Sequence, residues 1–327
     1  MYATMEKQVE QLNNEGVKLF LNGNFSEAKN KYRQALEISP TYPTTLNNLG
    51  MVLLQEKKYR EAEKCFKEAL GVTENPTYFL NLGHVYANLN QPEKAEENYL
   101  KSVELNPDSL LAWKSLGGLY QFHKKYFKSV KIWQNIVENF SRESYYKIQL
   151  AKDLIALREF RQALAVLSEA AGHDEFQEMV WYYTALIHFT QNNFGLADSA
   201  VKKALAVKPE DESCRILAAA ICLALSQLDK AVMHWDYLLK LNINNHKVRV
   251  DKAVALLANG YRSKALAELD YVISKEDENV KALFYKALTL MEMKENLPEA
   301  KKILNVLKTG NHPFRDKAAG LFEKMSE

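Results

Sequence analysis

Five side chains that can both donate and accept hydrogen bonds recur at one interval. Asn14, Asn48, Asn81, Ser115 and Gln149 are separated by steps of 34, 33, 34 and 34 residues. A primary amide offers a donor and an acceptor at once, so a row of them can hold a peptide backbone without reading its side chains. The plain alternative is that asparagine simply recurs at a common position of a repeat. Bond-breaking chemistry has weaker footing. The three cysteines, Cys65, Cys214 and Cys222, and the histidines show no metal-ligand spacing. Cys214 and Cys222 fall on one predicted helix, about 12 Å apart along its axis, too far to pair. No phosphate-cradling glycine loop, nucleophile elbow, paired-histidine helix or dinucleotide fingerprint is present. His84 sits beside the amide row, but one histidine is not a catalytic site. No catalytic residue, metal or cofactor is therefore expected.

Composition narrows the partners. Formal net charge is +2, so there is no overall attraction to nucleic acid or to an anionic membrane. The sparse, odd cysteine count favours a reducing compartment. The start, MYATMEKQVEQ, lacks an apolar signal-peptide core, and the longest apolar run, Ile216 to Leu225, is about half what a bilayer needs. A cytoplasmic chain without direct membrane insertion is the expectation.

The elements that position the amides follow from the same interval. A small residue recurs as Gly16, Gly50, Gly83, Gly117, Ala151, Ala185, Ala219, Ala253 and Ala287. Twelve residues later comes a second: Ala28, Ala62, Ala95, Ser129, Ala163, Ala197, Ala231 and Ala265, with Ala300 one place late. With the first small residue at position 8, repeats begin at residues 9, 43, 76, 110, 144, 178, 212, 246 and 280. Apolar residues at positions 4, 7, 8 and 11 share a stripe, which predicts a helix A over positions 1 to 14. A helix B carries the small residue at 20 and a bulky one at 24: Tyr32, Phe66, Tyr99, Trp133, Leu167, Val201, Trp235 and Leu269. Small residues at 8 and 20 let A and B approach closely. Pro40, Pro107 and Pro209 close helix B. Tight-turn residues such as Gly23-Asn24, Asn90-Gln91 and Asn192-Asn193 separate A from B, and asparagine there is expected to cap helix B. His188, Cys222 and the four tryptophans fall at core positions.

This pattern resembles the tetratricopeptide repeat, most clearly in TYFLNLGHVYANLNQPEKAEENYLKSVELNP (77–107). The resemblance covers residues 9 to 312. It implies an all-α solenoid, a right-handed superhelix of about nine helix-turn-helix repeats. Residues 1–143 hold near-consensus repeats one to four, and 144–312 hold degenerate repeats five to nine with alanine for glycine. In 313–327, Phe314, Ala318, Leu321 and Phe322 share one face of an expected capping helix. All three segments are expected to form one continuous solenoid.

The resemblance also implies what the chain does. Such proteins are generally not enzymes but hold partner proteins. Helix A lines the concave face through positions 2, 5, 6, 9, 12 and 13. The amide row at position 6 is similar to the asparagine ladder in the repeat region of the O-linked N-acetylglucosamine transferase family. A dicarboxylate clamp is not matched: Asn13, Val17, Asn48, Thr77 and Asn81 occupy its places, and only Asn48 fits. In repeats five to nine, position 5 reads Ile148, Tyr182, Ile216, Val250 and Phe284, an apolar strip for a partner helix or extended segment, unless a tight winding or the terminal helix buries it. The expected groove residues are Asn14, Asn48, Asn81, Ser115, Gln149, Tyr182 and Phe284, and the expected partner is an extended peptide or amphipathic helix of another protein. The alternative is an accessory or regulatory subunit of an enzyme or of an envelope or polysaccharide assembly complex. RNA binding would need a basic face with a recurring code, whereas Lys114, Lys152, Lys247 and Lys281 are scattered.

Overall fold

Helices begin where the 34-residue frame places them. From repeat two onward, helix A starts at Pro43, Pro76, Leu110, Ser144, Gln177, Glu212, His246 and Val280, within one residue of the frame. The computed structural model describes residues 2–171 and 176–325, with side chains from residue 5 onward. Nineteen α-helices and no strand occur among the described residues. They are nine A/B pairs and a terminal helix, Arg315–Lys324. The residues before the first repeat extend its helix A, which runs Tyr2–Leu21.

The chain divides into two compact bodies, Met1–Gly172 and His173–Glu327. The division falls at the end of repeat five. The first body stacks repeats one to five. The second stacks repeats six to nine and the terminal helix.

Each A-to-B turn closes the same way. Position 15 adopts a left-handed conformation at Gly23, Lys57, Asn90, Lys124, Arg158, Asn192, Ser226, Gly260 and Lys294. The next residue then donates its N–H to the carbonyl at position 11, as in Asn24 to Leu19 (2.9 Å), Lys58 to Leu53 (2.8 Å) and Gln227 to Cys222 (2.8 Å). This 6→1 bond satisfies a carbonyl that the end of helix A leaves free. Asparagine does not cap helix B as expected. Asn24 and Asn193 precede helix B with ψ near 61° and make no side-chain cap bond. Their backbone is set by the turn bond, away from the extended conformation that points a cap side chain at the helix. The caps lie instead on helix A, where Asn75, Ser109, Asp211, Asn245 and Asn279 accept from backbone N–H groups.

Only two of the nine left-handed residues are glycine, and a side chain there costs about 1–2 kcal/mol. Lys57 is exposed, has φ 59° and makes no ion pair among the described residues. Lys57→Gly is expected to stabilise the first body by up to about 1 kcal/mol after glycine's entropy cost. A urea midpoint that falls would show that the turn carries no such strain.

The small residue at position 8 meets the bulky residue at 24. A Cβ built on Gly16 would lie 2.5 Å from the Tyr32 ring, on Gly50 2.7 Å from Phe66, on Gly83 2.5 Å from Tyr99 and on Gly117 3.0 Å from Trp133. Where alanine takes position 8, the residue at 24 is usually smaller: Leu167, Val201 and Leu269. The second half has thus exchanged volume between two helices rather than lost its packing. Repeat seven departs, with Ala219 and Trp235 in one buried cluster.

Position 4 shows another exchange. Trp113 Nε1 donates to the carbonyl of Pro107 at 2.8 Å. In repeats seven and eight arginine replaces tryptophan and reaches the equivalent carbonyl: Arg215 to Pro209 at 2.6 Å and Arg249 to Ile243 at 3.2 Å. Each guanidinium also lies over a position-26 ring, Tyr237 at 3.3 Å and Tyr271 at 4.0 Å. Repeat six has the inverse pair, Lys203 over Trp181 at 4.0 Å. A planar donor that stacks on an aromatic ring can fill the tryptophan's place.

The terminal helix closes the second body. Phe314, Ala318, Leu321 and Phe322 join the cluster of Phe284, Ala287, Leu290, Leu304 and Leu307. That is the capping role expected for residues 313–327.

Candidate functional site

The amides of the first three repeats bond to one another. Asn13 Oδ1 accepts from Asn48 Nδ2 at 2.9 Å and from Thr45 Oγ1 at 3.1 Å. Asn47 Nδ2 donates to Asn48 Oδ1 at 3.3 Å, and Asn81 Nδ2 donates to Asn47 Oδ1 at 2.8 Å. The result is a polar chain, Asn13–Asn48–Asn47–Asn81, along helix A of repeats one (Tyr2–Leu21), two (Pro43–Gln55) and three (Pro76–Asn88). Each amide spends only part of its capacity this way, since it has two N–H groups and two lone pairs. Among the described residues, Asn81 Oδ1 and Asn13 Nδ2 have no protein partner.

The expected row at position 6 is thus not uniform. Asn48 is half-buried, and Asn81 is 7% exposed within the chain. Asn14 is exposed and makes no hydrogen bond among the described residues, because its neighbour Asn13 occupies the inward direction. Ser115 Oγ donates to the Leu111 carbonyl at 2.9 Å, within its own helix. Gln149 is 7% exposed and its Oε1 accepts from Lys152 Nζ at 3.0 Å. The residues that sequence reasoning did not assign to the row are Asn13 and Asn47, at position 5. Their own 34-residue spacing was the available signal.

The amide chain has apolar neighbours. Val17, Phe20, Met51, Leu54 and Ala87 are partly buried hydrophobic residues packed against the first body's core. Tyr99 OH and His84 Nδ1 share a hydrogen bond at 3.2 Å, and burial pushes the His84 pKa below the ordinary histidine value. Further along, Lys114 and Lys152 supply positive charge. Asp153 is 1% exposed and takes Gln121 Nε2 at 2.8 Å, and burial raises its pKa above the ordinary carboxylate value.

The apolar strip of the later repeats is not continuous. Ile148 is 1% exposed, Val250 2% and Phe284 5%, each buried by its neighbours in its own body. Phe284 stacks on Phe314, ring centroids 4.7 Å apart, beneath the C-terminal segment. Phe284 is therefore part of a sealed end rather than an open face. Tyr182 stays half-buried and meets the Tyr183 ring edge-on at 5.1 Å.

Among the described residues, no group of three or more His, Cys, Asp or Glu could hold a metal ion. No helix among the described residues is long and apolar enough to cross a membrane. Burial pushes the Cys65 thiol up to about 11 and the Cys214 thiol up to about 12, so neither is a ready thiolate.

Nine helix pairs on one period, with a row of amides along helix A of the first repeats, define a helical-repeat protein. The chain belongs to the tetratricopeptide-repeat family: descriptions of the tetratricopeptide repeat match residues 16–57, 41–108 and 148–212. It is similar to tetratricopeptide repeat protein 21B of Xenopus laevis, 26% identical over 185 residues, which cover 54% of this chain and 14% of that protein. It is also similar to anaphase-promoting complex subunit 3 of Schizosaccharomyces pombe, 24% identical over 195 residues, which cover 55% of this chain and 29% of that one. The chain thus spans less than a third of either relative. The solved structure of Pseudomonas aeruginosa pilF shares the fold, with a TM-score of 0.55, 18% identity, and coverage of 66% of this chain and 99% of that one. Proteins of this family act as interaction scaffolds and as subunits of complexes.

Proposed function

We propose that the chain is a non-catalytic interaction scaffold whose helix A face in repeats one to five holds an extended segment of a partner protein. The observation that carries this reading is the amide chain Asn13–Asn48–Asn47–Asn81. Mutual bonds fix the orientation of each amide before any partner arrives, and preorganised groups lose less entropy on binding. The remaining N–H groups and lone pairs suit a backbone, which alternates donors and acceptors. Val17 and Met51 at position 9 and Phe20 and Leu54 at position 12, partly buried, stand at positions that the repeat resemblance assigns to the same face and would add apolar contact. Asn14, Ser115 and Gln149 flank this row. In the second body, Tyr182 and Ile216 are the half-buried position-5 residues offered to a partner, and Phe284 is not.

The test uses extended peptides selected on the intact chain from a displayed random library. Each net hydrogen bond contributes about 0.5–1.5 kcal/mol, so Asn48→Ala with Asn81→Ala is expected to weaken a selected peptide roughly 5- to 150-fold. Helicity by circular dichroism should persist. Unchanged affinity in a folded double variant would sink the amide reading.

A second reading is an accessory subunit that positions an enzyme. It is favoured by the relative described as a subunit of the anaphase-promoting complex. An enzyme that co-purifies stoichiometrically and keeps its association in the double variant would support it over the first.

A further inference from the structure

The tip of repeat four carries the two most exposed aromatic rings among the described residues. Phe122 is 79% exposed and Phe127 is 77% exposed. Phe122 is the last residue of helix A (Leu110–Phe122), and Phe127 is the second of helix B (Tyr126–Asn139). The two rings flank a three-residue turn. Around them, residues 109–137 contain five lysines and no aspartate or glutamate. Lys125 and Lys128 share one carboxylate, Glu96, at 3.1 and 2.6 Å. Lys124 and Lys131 are exposed, with no carboxylate at ion-pair distance among the described residues. Lys131 follows Phe127 by one helical turn, on the same face.

The A-to-B turns of successive repeats share one edge of the first body. On that edge, Lys57 and Arg60 of repeat two and Arg158 and Arg161 of repeat five are also exposed and make no ion pair among the described residues. Glu27, Glu56, Glu61, Glu93 and Glu159 lie there too, so the surplus is a few charges, centred on repeat four. A net charge of +2 gives no general attraction, and any pull must be local.

Shape limits the occupant. Side chains projecting from a turn cannot enclose a ligand; the partner must supply the apolar medium. Lysines around those rings require that medium to have an anionic rim. Positive charge spread over the tips of several repeats matches a broad surface better than the mouth of one pocket. We propose that this edge, with Phe122 and Phe127 at its centre, docks peripherally on an anionic lipid surface. The two rings enter the interfacial zone while Lys124, Lys128 and Lys131 meet headgroups. Nothing here spans the bilayer, and the amides at positions 5 and 6 of helix A are not involved; Phe122 stands at position 13, the tip end of that helix.

The experiment is flotation of the full chain with vesicles of phosphatidylcholine alone or with about 30% phosphatidylserine. Binding is expected with the anionic vesicles only and should weaken between about 50 and 300 mM salt. Phe122→Ser with Phe127→Ser, and separately Lys124→Glu with Lys131→Glu, should each lower partitioning about tenfold or more. All four side chains are exposed, so unfolding curves should match the parent and exclude misfolding as the cause. Absence of binding to either vesicle, or equal binding by the double-serine variant, overturns the proposal and leaves the two rings to an apolar pocket of a partner protein.

Discussion

Replacing Gly50 by alanine is expected to cost about 2–3 kcal/mol, and replacing Phe66 by leucine in the same chain should recover at least about 1 kcal/mol of it. A Cβ at residue 50 would stand 2.7 Å from Phe66 Cε1, and Phe66 is 0% exposed. The ring cannot swing into solvent, so helices A and B must separate or the ring must leave its rotamer, and such overpacking costs about 1–3 kcal/mol. Phe66→Leu alone removes ring volume and leaves a gap, at about 1–1.5 kcal/mol. The double variant recreates the pair that repeat five uses, Ala151 with Leu167, whose alanine is 0% and leucine 1% exposed. The predicted coupling is measurable by a double-mutant cycle in urea. Additive costs would mean that positions 8 and 24 do not set the helix spacing together, and the exchange between the two halves would lose its explanation.

The second large effect lies at the other end. Deleting residues 309–327 is expected to unfold repeat nine while repeats six to eight hold. Phe284, Leu290, Leu304 and Leu307 are 5%, 4%, 0% and 3% exposed under the terminal segment. Removing the cap exposes them to water, and a terminal repeat has only one neighbouring repeat to compensate. Phe314→Ala is the smaller version. Its ring stacks on Phe284 at 4.7 Å and meets Tyr285 edge-on at 6.0 Å, and its loss should cost about 2–4 kcal/mol. Amide hydrogen exchange reads both changes. Protection over 280–307 should fall, with little change over 212–258. Retained protection at 280–307 in the truncated chain would show that the last repeat is self-sufficient.

Much of this was legible from spacing. Helix A starts at residues 43, 76, 110 and 144, as the frame requires, because small residues at 8 and 20 and bulky ones at 24 leave few other registers. The terminal helix was legible as well, since Phe314, Ala318, Leu321 and Phe322 are all apolar on one face. The turns were less so. Asn24 looked like a cap for helix B, yet a backbone bond from its own N–H to Leu19 fixes the turn. The left-handed position 15 was hidden because lysine, arginine and serine occupy it as well as glycine and asparagine.

Periodicity by itself determined the helix pairs, their register and their number, because each repeat can bury its apolar stripe only against the next. It also marked the amides as the polar chemistry of helix A. Only the tertiary structure decided which amides meet. Asn13 and Asn47 joined the chain while Asn14 turned to solvent, a matter of one residue's rotation about a helix axis. It likewise decided that Phe284 is sealed, because a segment 30 residues further on lies across it. Local pattern specifies the face of a helix; what covers that face depends on the rest of the chain.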